Sequence, residues 1–106
     1  MFSSRQDRDL HYAVLTARLQ PLRAIFSAGT KAQVYSSLFD EFLSQREFGL
    51  ALEALCDYLL EPTVRPVNEL ELKEIASLHV LMEVEDQCLL RLRQKREQFE
   101  KAPNNR

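Results

Sequence analysis

Apolar residues recur at spacings of three and four along nearly the whole chain, which is the period of an amphipathic helix. The first such stripe consists of Tyr12, Leu15, Leu19, Leu22 and Phe26. Strict alternation of apolar and polar residues, the signal of a half-buried strand, does not occur. Only two glycines and four prolines interrupt the pattern, so the 106 residues predict one all-α domain. We expect a small bundle of four to five amphipathic helices with a frayed tail at residues 102–106.

Prolines and capping pairs predict where these helices begin and end. Pro21 should break the first helix and open a short piece that ends at Gly29. Pro62 and Pro66 lie in a linker between the third and fourth helices. Three pairs have the spacing of a capping box: Ser4 with Asp7, Thr30 with Gln33, and Asn68 with Glu71.

Each later helix has its own predicted inner face. The second, from Thr30 to about Gln45, should bury Val34, Tyr35, Leu38, Phe39 and Phe42. The third, from Arg46 or Glu47, should bury Phe48, Ala51, Leu52, Leu55 and Leu59. In the fourth, the stripe is Leu72, Ile75, Ala76, His79 and Met82, and it resumes at Cys88, Leu89, Leu92 and Phe99. One long helix or two could cover residues 68–100, and the charged residues 83–86 favour two with a bend near Val84.

The two cysteines and the chain's hydropathy bear on its location. Cys56 and Cys88 lack metal-site spacing, and each lies among leucines, so we interpret both as small apolar packing residues. No apolar run approaches the roughly 18 residues that cross a bilayer. The amino-terminal residues lack the apolar stretch of a signal peptide. Two lone cysteines without an export signal predict a protein of the reducing cytoplasm, away from membranes.

No catalytic constellation is recognisable in the sequence. His11 and His79 are the only histidines, and neither has Cys, His or carboxylate neighbours at ligand spacing. His79 falls in an apolar stripe and is interpreted as a hydrogen-bonded core residue. There is no glycine-rich phosphate loop and no nucleophile elbow. We therefore expect a protein without enzymatic activity, cofactor or metal.

Charge is distributed unevenly along the chain. Residues 40–86 carry twelve acidic and three basic groups, for a net charge of −9, whereas the segments before and after carry +3 and +4. Phosphates would be repelled by the acidic middle block, which argues against nucleic acid binding there. The block suits a basic protein partner.

Three acidic residues of the third helix, Glu53, Asp57 and Glu61, stand four residues apart, opposite the apolar face. Like charges at this spacing cost an isolated helix about 0.2–0.5 kcal/mol per pair. We call these residues the acidic rail. It is either a solvated face or the charged rim of an interface with Leu50 as its apolar anchor. A second acidic set on and after the fourth helix consists of Glu71, Glu74, Glu83, Glu85 and Asp86.

The segment FLSQREFGLALEALCDYLLE, residues 42–61, resembles the signature segment of MafI-type immunity proteins. The positions that carry the resemblance are Phe42 and Leu43, Ser44 to Arg46, Glu47, Gly49 to Ala51, Glu53, Leu55 and Asp57. A proline-containing linker and a helix over Ile75 to Met82 extend it to residues 38–82. The resemblance implies a small helical bacterial antidote, encoded beside a secreted or contact-delivered toxin. Such a protein binds and blocks one cognate toxin, commonly a nuclease, with an RNase favoured here.

Two other classes of function remain open from the sequence. A helical adaptor or chaperone would present an apolar groove in place of an acidic surface. A nucleic-acid-binding regulator would use the basic residues of the last helix: Arg91, Arg93, Lys95, Arg96 and Lys101.

Overall fold

The computed structural model describes residues 5–27, 29–83 and 87–101. Within these ranges the chain forms five α-helices, one 3-10 helix and no strand, which confirms the predicted all-α fold. The α-helices are α1 (Arg5–Leu19), α2 (Thr30–Ser44), α3 (Phe48–Leu59), α4 (Glu69–Met82) and α5 (Cys88–Lys101). Three expectations lie outside the described residues: the cap at Ser4, the bend near Val84 and the frayed tail at residues 102–106.

The break at Pro21 is confirmed. Helix α1 ends at Leu19, and a 3-10 helix over Gln20–Ile25 follows, with Pro21 in its first turn. The 3-10 helix ends at Ile25. Phe26, its C-cap, has an extended backbone, and its N–H donates to the Arg23 carbonyl at 3.1 Å. The short piece therefore ends before Gly29, the residue at which its end was expected.

One predicted capping box forms and another does not. The Asn68 side chain accepts from the Glu71 N–H at 2.7 Å, and the Glu71 carboxylate accepts from the Asn68 N–H at 3.0 Å. At α2, however, Gly29 occupies the cap position with φ 134°, a conformation that glycine adopts without a steric penalty. Thr30 is already helical there, so its hydroxyl is one position too late to cap, and the Thr30–Gln33 prediction is wrong.

A tight connection joins α2 to α3 as a helical hairpin. Arg46 adopts the left-handed conformation with φ 61°, and the Glu47 N–H donates back to the Phe42 carbonyl at 2.8 Å. The Arg46 guanidinium lies 5.4 Å from the centre of the Tyr12 ring, a cation–π distance that ties the connection to α1. Helix α3 begins at Phe48, one or two residues later than expected.

The core is centred on α3. All five residues predicted for its inner face are buried, and Ala54, Cys56 and Tyr58 are buried as well. On α2 the prediction is confirmed for Phe39, which is buried, and Tyr35 and Phe42 are half-buried against the core. Ala32 and Ser36 are buried as well, so the inner face is rotated somewhat from the predicted one. Val34 and Leu38 are exposed, and the expectation that they lie in the core is wrong.

Helix α5 extends beyond the core. Cys88 and Leu92 are buried and Leu89 is half-buried, as expected, but Phe99 is exposed. The prediction for Phe99 is wrong because this part of α5 lies beside the linker at residues 62–66, where Phe99 stays largely exposed. No helix in the described part of the chain is both long enough and apolar enough to cross a membrane.

Cys56 of α3 and Cys88 of α5 form a disulfide with a Cα–Cα distance of 6.1 Å. Both residues are buried, as their leucine-rich surroundings indicate, but the interpretation of them as lone packing residues is wrong. They are 32 positions apart in sequence and lie on different helices. Only the packing of α5 onto α3 brings them together.

Two helices cover residues 68–100, as favoured from the sequence. Helix α4 ends at Met82, and Glu83 follows in the left-handed conformation with φ 55°. Its N–H donates to the Val80 carbonyl at 3.2 Å, which closes the last turn. Because such a conformation cannot continue a right-handed helix, α5 starts anew at Cys88.

Candidate partner-binding surface

The outer face of α3 carries three of the predicted partner-binding residues. Leu50, Glu53 and Asp57 follow at spacings of three and four, so they share one face of the helix. All three are exposed, with Leu50 42% accessible, and they lie opposite the buried leucines. We call these three residues the α3 stripe.

Glu61, the third member of the acidic rail, lies beyond the end of α3 and binds within the molecule. Its carboxylate accepts from Lys31 Nζ at 2.7 Å and from the Tyr35 hydroxyl at 2.8 Å. The hydrogen bond from Lys31, followed by that from Tyr35, lowers the pKa of Glu61. The hydrogen bond between Tyr35 and Glu61 raises the pKa of Tyr35. Glu61 therefore joins the end of α3 to α2. These contacts indicate a structural role for Glu61 in place of the predicted partner binding.

Lys95 of α5 caps the end of α3. Its Nζ donates to the carbonyls of Leu59 at 2.7 Å, Glu61 at 2.8 Å and Val64 at 2.6 Å. A cation at these carbonyls also complements the negative end of the helix dipole. Burial lowers the pKa of Lys95. No local pattern in the sequence distinguishes Lys95 from the other basic residues of α5, so sequence reasoning missed this contact.

The acidic residues of α4 are also engaged within the molecule. Glu71 completes its capping box and binds both guanidinium nitrogens of Arg65, at 2.8 and 2.6 Å. The hydrogen bond from Arg65 is the main cause that lowers the pKa of Glu71. Glu74 accepts two hydrogen bonds from Arg18 of α1, at 3.0 and 3.1 Å. Asp86, predicted for the same surface, lies outside the described residues, as does Glu85.

The basic residues of α5 divide into two groups. Arg91 and Arg93 are exposed. Lys95 is bound by three carbonyls, and Arg96 pairs with Glu69 of α4 at 2.7 Å and with Glu100 at 3.2 Å. Two cations of the predicted backbone-contact set therefore hold α5 against the rest of the fold, which weakens the nucleic-acid alternative.

A small cavity of about 190 Å³ lies beside the α3 stripe, between α3 and α5. Glu53 and Asp57 form part of its α3 wall, and Arg91 contributes from α5. The disulfide cysteines line the same space. The α3 stripe thus has one arginine at its border on the α5 side.

The histidines and carboxylates show no arrangement for metal chemistry in the described ranges. His79 is buried, and its Nδ1–H donates to the Ile75 carbonyl at 2.9 Å, which confirms it as a hydrogen-bonded core residue. Among the residues described, no three of the His, Cys, Asp or Glu side chains are grouped as metal ligands would be.

Comparison with known proteins gives no further identification. No family model, curated protein or solved structure matches the chain.

Proposed function

We propose that this protein is an immunity protein that binds and neutralises a basic bacterial toxin domain through the α3 stripe. The observation that carries the proposal is the exposure of Leu50, Glu53 and Asp57 on the face of α3 opposite the core. A leucine followed on the same helix face by two carboxylates has the composition of an interface anchor with a charged rim.

The proposed partner is a nuclease, with an RNase favoured, because nucleases hold phosphates with basic surfaces. Carboxylates on the inhibitor attract such a surface and increase the rate of encounter. Leu50 then packs against an apolar group of the toxin and slows dissociation. The inhibitor acts by occupation alone, and we expect no turnover of nucleic acids or phosphoesters by the purified chain.

The contacts made by the other acidic residues narrow the proposed interface. Glu61, Glu71 and Glu74 all form ion pairs within the molecule, so a toxin would have to compete with Lys31, Arg65 and Arg18 for them. Asp86 stays a predicted contact.

Action in the cytoplasm follows from the proposed target, because a delivered nuclease meets its substrates there. The cysteine argument for a reducing compartment no longer supports this location, since Cys56 and Cys88 are paired. The location therefore depends on the proposed function alone.

The test is co-expression with the toxic domain that we expect the neighbouring gene to encode. Cells that receive the toxin domain with this protein should grow, and cells that receive the toxin domain alone should not. Replacing Glu53 by Gln or Asp57 by Asn should each reduce protection and slow association, whereas Glu97→Gln on α5, which removes one exposed carboxylate as they do, is the control. If cells that contain abundant folded protein are arrested by the toxin domain as completely as cells without it, the proposal is contradicted.

A further inference from the structure

The exposed surface of α2 carries a second stripe of aliphatic and acidic residues. Val34, Leu38 and Glu41 follow at spacings of four and three, so they share one face of α2. All three are exposed, and Val34 and Leu38 are 54% and 39% accessible. We call Val34, Leu38 and Glu41 the α2 stripe.

The Lys31–Glu61 ion pair shows that the two stripes adjoin. Lys31 precedes Val34 by three residues and so lies on the face of the α2 stripe. Glu61 follows Asp57 by four residues, directly past the end of α3. Because Lys31 Nζ and Glu61 Oε1 are 2.7 Å apart, the outer edges of α2 and α3 meet there. The tight connection at Arg46 joins the two helices at the other end of the hairpin, and α2 packs against α3 between these points. Each helix has its stripe on its exposed face.

The exposed residues of the two stripes are together called the α2–α3 face. It presents three aliphatic side chains, Val34, Leu38 and Leu50, and three carboxylates, Glu41, Glu53 and Asp57. Single exposed aliphatic residues are ordinary on a protein surface, but adjoining ones rimmed by charge are typical of an interaction site. The charge of Lys31 is already offset by Glu61, so it does not neutralise this face.

The charge of the α2–α3 face selects among its potential occupants. Nucleic acid is disfavoured because its phosphates would approach three carboxylates. A second copy of the chain is also disfavoured, since a two-fold interface places the same surface on both sides and would oppose carboxylates to carboxylates. A protein with lysines or arginines around an apolar patch is complementary in both respects.

We propose that the whole α2–α3 face, and not α3 alone, binds the basic protein partner. Val34 and Leu38 form a second apolar anchor beside Leu50, and Glu41 adds to the steering charge of Glu53 and Asp57. This inference rests on the proposed function, whose toxin domain is the partner used in the test.

The test measures binding kinetics of the full chain with the purified toxin domain from the neighbouring gene, at low and high salt. Val34→Ser combined with Leu38→Ser should raise the dissociation rate about tenfold or more, as the loss of an apolar anchor does. The matched control is Leu70→Ser combined with Val80→Ser on α4, where the side chains are 76% and 78% accessible. This control should leave binding unchanged.

A second pair of variants tests the charge. Glu41→Gln should slow association and flatten its salt dependence, whereas Glu97→Gln on α5 should do neither. Thermal melts should be unchanged for these glutamine variants, because both side chains are exposed. A shift confined to binding then separates partner contact from a structural role.

The outcomes distinguish this inference from the proposed function. If Leu50→Ala weakens binding but the Val34 and Leu38 double variant binds like the wild type, the interface is limited to α3 and this inference is overturned, while the proposed function stands. If the wild-type chain neither binds the toxin domain nor protects cells, both are overturned. Concentration-dependent dimerisation that the double variant abolishes would assign the face to a second copy, which also overturns the inference.

Discussion

Two non-glycine residues, Arg46 and Glu83, adopt left-handed backbone conformations where helices end. A side chain in this region clashes with its own backbone at a cost of about 1–2 kcal/mol. Arg46 has a compensating contact, since its guanidinium lies over the Tyr12 ring. A glycine substitution therefore removes backbone strain at both positions, but at Arg46 it also removes the contact with Tyr12.

Glu83→Gly should raise the free energy of unfolding by about 0.5–1 kcal/mol, because glycine adopts the observed φ of 55° without a steric penalty. Arg46→Gly relieves the same backbone strain but loses the cation–π contact, so its gain should be smaller or absent. Urea denaturation of both variants beside the wild type measures the difference. Destabilisation by Glu83→Gly would mean that its side chain stabilises the fold.

Lys95→Met should lower the free energy of unfolding by about 1–3 kcal/mol. Methionine keeps much of the aliphatic volume but leaves the carbonyls of Leu59, Glu61 and Val64 without their charged donor. The exposed Lys73→Met on α4 is the matched control and should change stability little. Equal effects of the two variants in urea denaturation would refute the capping role of Lys95.

At the scale of whole elements, α5 is attached to α3 at two points a few turns apart. Cys88 is bonded to Cys56 at the start of α5, and Lys95 caps the end of α3 further along. Leu92, buried between these points, packs into the core. Helix α5 thus holds in place the helix that carries the α3 stripe.

The disulfide should stabilise the fold by about 3–4 kcal/mol, because it closes a loop of 32 residues in the unfolded chain. Replacing Cys56 and Cys88 by alanine should therefore lower the melting temperature, and dithiothreitol should have no effect on this double variant. The wild type should lose a similar amount of stability once the bond is reduced. Intact mass in the native state, with and without reduction, checks that the bond forms. Free thiols in the folded protein would contradict it.

Across the whole molecule, ion pairs use much of the acidic middle block to join elements. At least five of its twelve carboxylates pair within the fold: Asp40, Glu61, Glu69, Glu71 and Glu74. Their partners come mostly from the basic flanking segments, so the uneven charge along the sequence becomes an attraction between its parts. The net charge of residues 40–86 therefore overstates the negative charge that can attract a partner.

The free energy of unfolding should fall on acidification below about pH 4.5, because carboxylates that form ion pairs within the fold become protonated. Hydrogen bonds from Lys31, Arg96 and Arg65 lower the pKa values of Glu61, Glu69 and Glu71, respectively, from the ordinary 4.5. Above the unfolded-state value these groups are ionised in both states and their stabilisation is complete. It is lost as the pH falls through the lower folded-state values.

A Glu61→Gln and Glu71→Gln double variant tests this dependence by thermal melts between neutral and acidic pH. Its melting temperature should lie below that of the wild type near neutrality and approach it in acid, because the removed carboxylates no longer titrate. Glu53→Gln with Glu97→Gln, both on exposed faces, is the control and should follow the wild type. Parallel curves for the wild type and the test variant would exclude these ion pairs as the cause.

The sequence by itself determined the helical class, the break at Pro21, the cap at Asn68 and the inner face of α3. These features depend on local steric preferences and on a period of about 3.6 residues, which act within one or two turns. For the candidate surface, the same periodicity placed Leu50, Glu53 and Asp57 outside.

The tertiary structure alone decided that Val34 and Leu38 are exposed, that Glu61 binds Lys31, that Lys95 caps α3, and that Cys56 meets Cys88. Each of these depends on how one helix is rotated against another, and a helix's own periodicity leaves that rotation open.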